Sequence, residues 1–209
     1  MLSDAEIERH SRQILLPEVG GRGQERLLAA RVCVAGTDEA AGLAALLLGR
    51  AGVGMLDLVG AAPTTSLPPH CRSARHTHAT GAPVADVIVD LGGEPETTVR
   101  FARGAQAASG VHVLGVRHGA QIAVATLAGR PCAVCLAPET LGTARADPGG
   151  AFAAPAALAL GALAAAEALR ALCLPASGGR LHSLDVATGA CSARALAAGI
   201  GCTVCGGNA

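Results

Sequence analysis

This chain of 209 residues contains no Lys, no Trp, no Tyr and only two Phe. Its acidic and basic side chains balance, 16 against 16, so it carries no net charge and no basic run. A nucleic-acid binder needs cationic side chains against phosphate and aromatic faces on which bases stack. This composition offers neither, so nucleic acid is excluded as an expected partner. Without large rings the core must be built from Ala, Leu and Val, with Gly where backbones approach closely. The opening residues, Met-Leu-Ser-Asp-Ala-Glu-Ile-Glu, lack the basic start and apolar centre of a signal peptide. The expectation is a cytoplasmic chain whose eight Cys are reduced thiols or metal ligands.

One long apolar stretch, Phe152 to Pro175, is weighed as a membrane span. It is mostly Ala and Leu, and Ala contributes little insertion energy. It also carries Glu167 and Arg170, three residues apart on one helical face, and charges are expensive in a bilayer core. A buried helix of a soluble domain is expected, with no membrane partner.

What the chain does have is two widely separated cysteine pairs, Cys132-Ala-Val-Cys135 and Cys202-Thr-Val-Cys205. Each C-x-x-C turn presents two sulfurs, and two such turns complete a tetrahedron around zinc. The predicted metal ligands are therefore Cys132, Cys135, Cys202 and Cys205, with a structural Zn²⁺ tying the tail to mid-chain. Two disulfides or free buried thiols are the competing reading.

The periodicity predicts a short helix from Ser3 or Asp4 through His10, and a second from Gln24 to Arg31. A buried strand follows from Arg31 to Gly36, then a helix from Glu39 to Ala51 and a strand from Met55 to Val59. That β–α–β unit implies a parallel sheet with a right-handed crossover. Residues 61–84, with four Pro, read as an irregular loop. Ala85–Asp90 returns to strand, Glu96–Ser109 is helical, and Val111–Val116 and Ala120–Leu127 are strands. The Ala-rich helix and a hairpin from Leu181 to Leu196, turning at Thr188-Gly189, complete the chain.

The leader Glu8-Arg-His-Ser-Arg-Gln-Ile-Leu-Leu-Pro-Glu-Val-Gly20, followed by Gly23-Gln-Glu-Arg-Leu27, resembles that of the ThiF, MoeB and HesA proteins, relatives of the ubiquitin-activating enzymes. Ala51-Gly-Val-Gly54, Pro131-Cys-x-x-Cys-Leu136 and the Cys-x-x-Cys-Gly206 tail fit the same family in the same order. The resemblance implies a Rossmann-like domain that binds ATP and magnesium and adenylates the C-terminal glycine of a ubiquitin-like sulfur carrier. It also implies a homodimer and a structural zinc. By resemblance, Arg12 and Gly36 belong to the nucleotide site, with Arg12 serving phosphates, in some members across the dimer.

The residues that carry the family's chemistry are where this chain departs. The family's G-x-G-G-x-G loop reads here Gly36-Thr-Asp-Glu-Ala-Ala41, and only the first glycine survives. The acid expected to hold the ribose falls on Gly60. The family's lysine has no counterpart, since the chain has none. The stretch after Asp90, where a magnesium-binding aspartate is expected, is Leu91-Gly-Gly-Glu94. No Cys lies between Glu139 and Pro155, where thioester-forming members place theirs. Asp38 and Glu39 also suit a cap and first helical turn.

The resulting expectation is an α/β, Rossmann-like, mainly parallel sheet flanked by helices, with a zinc-tied antiparallel C-terminal part. It forms a single domain over 1–209: a helical leader in 1–30, a core in 31–128 and the zinc-tied part in 129–209. The expected function is a zinc-stabilised scaffold that has lost ATP-dependent adenylation. Such a scaffold would be dimeric and would bind a ubiquitin-like carrier or another enzyme. An active adenylyltransferase, and a small-molecule binder reusing the old cleft, are the rivals. Finally, His70, Cys71, His76 and His78 offer four further ligand atoms, for which a solvated loop with incidental histidines is the expected reading.

Overall fold

The structure is a computed structural model, and it describes residues 1–60, 66–76, 83–136, 150–174, 176–199 and 201–206. Helix α1 (Asp4–Ile14) starts in a capping box. The Ser3 side chain accepts from the Glu6 amide while the Glu6 carboxylate accepts from the Ser3 N–H at 2.8 Å. Helix α2 (Gly20–Ala29) begins four residues before the predicted Gln24. Then come β1 (Arg31–Ala35), α3 (Glu39–Ala51), β2 (Met55–Val59), β3 (Arg72–His76) and β4 (Val87–Asp90). Helix α4 (Pro95–Ala107), β5 (Val111–His118), β6 (Gln121–Ala128), a 3₁₀ turn (Ala133–Cys135), α5 (Ala153–Cys173), β7 (Gly178–Asp185) and β8 (Cys191–Leu196) complete the order.

Strand β3 corrects the prediction that residues 61–84 are irregular. Arg-Ser-Ala-Arg-His has no alternating apolar pattern and is mostly exposed. It becomes a strand because β2 offers it a free parallel edge, in the register Asp57↔Ala74 and Val59↔His76. That pairing is non-local, and its charged side chains also blunt the sheet edge.

All eight strands form one sheet in the order β3-β2-β1-β4-β5-β6-β7-β8. The first five run parallel and the last three antiparallel. Strand order reverses between β1 and β4, and crevices outside the C-terminal ends of strands at such a switch point are where ligands bind in open α/β sheets.

One sheet face carries Val32, Val34, Leu56, Leu58, Val87 and Val89 and packs against α2, α3 and α5. Small side chains let these helices close in. Gly161 of α5 lies so near α3 that a Cβ there would meet the Ala40 carbonyl oxygen at 2.3 Å. This is how a core lacking large rings reaches native density. The other face is covered by α4, through Phe101 and Ala105, and by the turn that carries the first cysteine pair.

Helix α5 is the one described helix long and apolar enough to cross a membrane, and half of its apolar window is buried inside the fold. Glu167 points inward. It accepts from Thr126 Oγ1 of β6 at 2.5 Å and from Arg170 Nη2 at 2.9 Å, with His182 Nε2 of β7 at 3.5 Å. Burial alone would raise the Glu167 carboxyl, but the Arg170 and Thr126 hydrogen bonds outweigh it and hold it below the usual range.

Candidate functional site

The two cysteine pairs converge. Cys132 caps the 3₁₀ turn and is buried, and the Cys135 amide donates to its carbonyl at 2.9 Å. The second pair sits on a turn closed by the Gly206 amide donating to the Cys202 carbonyl at 3.2 Å. Sulfur–sulfur distances are 4.0 Å for Cys132–Cys135, 3.6 Å for Cys132–Cys202 and 3.4 Å for Cys135–Cys205. All four Sγ atoms lie within 4.8 Å of one another. Four sulfurs bound to one zinc at about 2.3 Å form a tetrahedron with edges of about 3.8 Å. The cluster has that size, so it could hold a zinc ion.

Its electrostatics point the same way. Burial, then the hydrogen bond with Cys202, pushes the Cys132 thiol up to about 12. Backbone amides of Cys205 and Val204 bring Cys202 down to about 6. The protein thus favours the thiolate at Cys202 and the thiol at Cys132, and a cation would favour the thiolate at both. The other cysteines do not gather. Cys33, Cys71 and Cys173 are buried separately, their thiols raised by burial, and Cys191 is exposed on β8.

The other predicted site lies at the C-terminal ends of β1, β2 and β4. Gly36 follows β1 with φ +150°, and a Cβ there would meet the Ala41 Cβ at 2.8 Å. Glycine is therefore demanded by the tight entry to α3, with or without a ligand. Asp38 is the N-cap of α3, its carboxylate accepting from the Ala41 amide at 3.3 Å. Glu39 adds a second carboxylate to the same first turn. The helix end that would favour phosphate is already supplied with negative charge by the chain itself.

Gly60, where a ribose-binding acid is expected, has φ +108°. A Cβ there would meet the Gly36 carbonyl oxygen at 2.8 Å and the Thr37 methyl at 3.2 Å. The backbone at the end of β2 leaves no direction for a side chain.

Asp90 is fully buried. It accepts from Thr98 Oγ1 at 2.6 Å and from the Gly92 amide at 3.2 Å, and His112 Nε2 lies at 3.6 Å. It is turned inward to α4 and β5 instead of outward to a metal. Glu94 is exposed and accepts from Thr97 Oγ1 at 3.3 Å. Arg12 is exposed in the last turn of α1 and makes no hydrogen bond or ion pair among the described residues. The structure does not join it to Gly36. Most of Glu139–Pro155 lies outside the described residues.

The histidine segment does not converge either. His70 Nε2 contacts the Gly49 carbonyl at 3.1 Å, Cys71 is buried, and His76 Nε2 lies 3.4 Å from Asp57. His78 falls outside the described residues. Among those described, the four cysteines are the sole metal-competent cluster. The sequence reading passed over Asp57. It is buried in β2 and held by the Arg31 guanidinium and His76. A lone acid inside Met-Leu-Asp-Leu-Val was the available signal, since such a charge needs a partner.

No protein-family model matches the chain. The chain is 50% identical over 58 residues to the heterocyst protein HesA of Trichormus variabilis, a match covering 28% of this chain and 22% of HesA. It is 55% identical over 58 residues to the adenylyltransferase and sulfurtransferase MOCS3 of Mus musculus, covering 28% of this chain and 13% of MOCS3. The matched segment thus spans about a fifth or less of these curated relatives. Among solved structures, E. coli MccB with succinimide superposes at a TM-score of 0.72 and 14% identity, over 95% of this chain and 74% of MccB. PaaA does so at 0.69 and 14% identity, over 93% of this chain and 74% of PaaA. MccB has also been solved with ATP and, as the microcin C7 biosynthetic enzyme, in complex with N-formylated MccA. The chain is thus similar over a 58-residue segment to HesA and MOCS3, and it shares the fold of MccB and PaaA.

Proposed function

We propose that this chain is a non-adenylating member of its family: a zinc-stabilised, cytoplasmic scaffold, formed by residues 1–209 as one unit, that binds a protein partner. The observation that carries the reading is the closed phosphate loop. Asp38 caps α3, Glu39 reinforces its charge, and the Gly36–Gly60 approach fills the space beside it. A like-charge contact near 4 Å costs about 4 kcal/mol at an effective dielectric of 20, which is roughly a thousandfold in affinity. Arg12, exposed on α1, does not offset two carboxylates. With Asp90 turned inward and no Lys in the chain, the groups that neutralise a transferring phosphate are missing together.

The zinc would be held by Cys132, Cys135, Cys202 and Cys205. Bound there, it closes the chain end onto the sheet face beside α4 and takes no part in chemistry. Self-association is supported by apolar side chains left exposed along α5, where Phe152 is 46% and Leu158 47% exposed. A ubiquitin-like sulfur carrier is the partner class that the family suggests, and another enzyme is the alternative. The MccA complexes of MccB support the idea that members hold a second component on this scaffold.

The competing reading is an active adenylyltransferase, favoured by the ATP complex of MccB. Calorimetric titration with ATP, with and without magnesium, separates the two, beside pyrophosphate exchange with candidate carriers. We expect no binding tighter than millimolar and no exchange. Micromolar ATP binding or carrier-dependent exchange would establish the active reading instead. Binding of another small molecule in the old cleft, found by screening for stabilising ligands, would favour the third.

A further inference from the structure

We infer a second, independent binding site: an oxyanion-binding groove between the C-terminal half of α5 and strands β6, β7 and β8. The groove encloses about 600 Å³, a volume suited to a ligand well beyond a single ion. Among the described residues that line it are three arginines, Arg170, Arg180 and Arg194, and no carboxylate.

The arginines are not equivalent. Arg170 is held in place by Glu167, which accepts from its Nε at 3.2 Å and from its Nη2 at 2.9 Å. Glu167 is in turn anchored by Thr126 of β6, which also lines the groove. The guanidinium is therefore pre-oriented, and its Nη1 donors make no hydrogen bond among the described residues. Arg180 pairs with Thr126 in the β6–β7 register, so both stand on the sheet face that α5 covers. Arg180 is exposed and has no ion pair among the described residues. Arg194 pairs with Leu181 on the edge strand, which sets its side chain on the face away from α5, so Arg170 and Arg180 are the two groove-facing arginines. The floor is made of small residues, including Gly178 and Ala195, which leave room above the sheet. Ser177 adds a hydroxyl at the mouth. A guanidinium fixed on one edge beside a second, free guanidinium suits the planar, multi-oxygen geometry of a phosphate or carboxylate group.

The groove is separate from the family's nucleotide cleft. Gly178 and Ala128 are at the level of Val111, where β5 begins. Gly36, Gly60 and Asp90 lie at the opposite, C-terminal ends of the parallel strands. Its occupation therefore does not depend on whether the chain retains ATP chemistry.

The test is a titration of the full chain at constant ionic strength with inorganic phosphate and, separately, with N-acetylglycine as a mimic of a polypeptide C-terminus. Calorimetry and the NMR signals of the arginine Nε–H groups report binding. Saturable binding of at least one probe is expected, with the Arg180 signal shifting. Arg180→Ala should weaken it by roughly tenfold or more, the loss of hydrogen bonds to a charged group. Arg180→Lys should fall between, because it keeps the charge and loses the fork. Because Arg180 is exposed, both variants should melt with the parent chain. Phosphate binding alone assigns a phosphorylated ligand, N-acetylglycine alone a carboxylate, and both together a general oxyanion site. Linear, unsaturable responses to both probes, or an Arg180→Ala chain that binds like the parent, would overturn the inference.

Discussion

At one corner of the molecule, four thiols from pairs 70 residues apart meet within 4.8 Å around a common centre. At the C-terminal ends of β1, β2 and β4, the polar groups turn to one another: Asp38 to the Ala41 amide, Asp90 to Thr98 and the Gly92 amide. The difference lies in what each leaves unsatisfied. Four clustered sulfurs cannot all ionise without a cation, and that corner could hold a metal. At the start of α3 the Asp38 carboxylate already takes the Ala41 amide, so an incoming anion would compete with that contact.

The sharpest way to test that contrast is to remove the metal. Zinc analysis of the purified chain should give close to one ion per molecule. Cys205→Ser or chelation should lower the melting temperature by the largest margin of any change here. The binding energy of structural zinc, about 10–16 kcal/mol in small peptides, is folding energy. A chelated chain that melts with the loaded one would dissolve the distinction between the two regions.

A second test asks whether a self-satisfied cluster is structural. Glu167 is only 6% exposed, and Glu167→Ala leaves Arg170 and Thr126 without their acceptor. Arg170 is 30% exposed and stays partly solvated, so the cost should be about 1–3 kcal/mol, that of hydrogen bonds lost to a charged group. Urea denaturation should show that loss. A cost near zero would mean that satisfied clusters in this fold are dispensable.

The third test addresses the loop itself. Asp38→Ala should cost about 1 kcal/mol through the lost cap, and Asp38→Gly only a few tenths. Neither should bring measurable ATP affinity, since the Gly60 position and Asp90 still lack the required groups. Micromolar ATP binding by the Asp38→Gly chain would place the whole barrier on one carboxylate.

The smallest expected effect is with pH. His10 is 3% exposed, its ring edge-on to His70 at 5.7 Å. Burial, then the His70 and Arg9 charges, holds its pKa below 6.5. The folded chain thus binds fewer protons there than the unfolded chain. Stability is fully present above pH 6.5 and declines as pH falls through that value toward the lowered pKa. His10→Gln should flatten that slope in a stability-versus-pH series. Glu167 and Asp57, both held below their ordinary carboxylate range, add a further loss only as pH falls through and below about 4.

Much of this was legible in the sequence because it is local. Alternating and helical periodicities placed β1, α3, β2 and α4 within a few residues, and the C-x-x-C spacing named all four sulfurs. The Gly36-Thr-Asp-Glu turn announced a capped helix. Strand β3 was not legible, because Arg72–His76 has no pattern of its own and is made a strand by the free edge of β2. Asp57 was passed over because its partners, Arg31 and His76, come from two other strands.

The sequence by itself determined most of the element order and singled out the four cysteines that cluster, since each rests on spacing along the chain. Only the tertiary structure decided that the four sulfurs meet, that Asp90 faces inward and that Gly60 has no room for a side chain. It alone placed Arg170 and Arg180 around one groove. Those outcomes depend on strand register and on the close approach of segments far apart in the chain. Such distances are set by packing across the sheet, which no local pattern encodes.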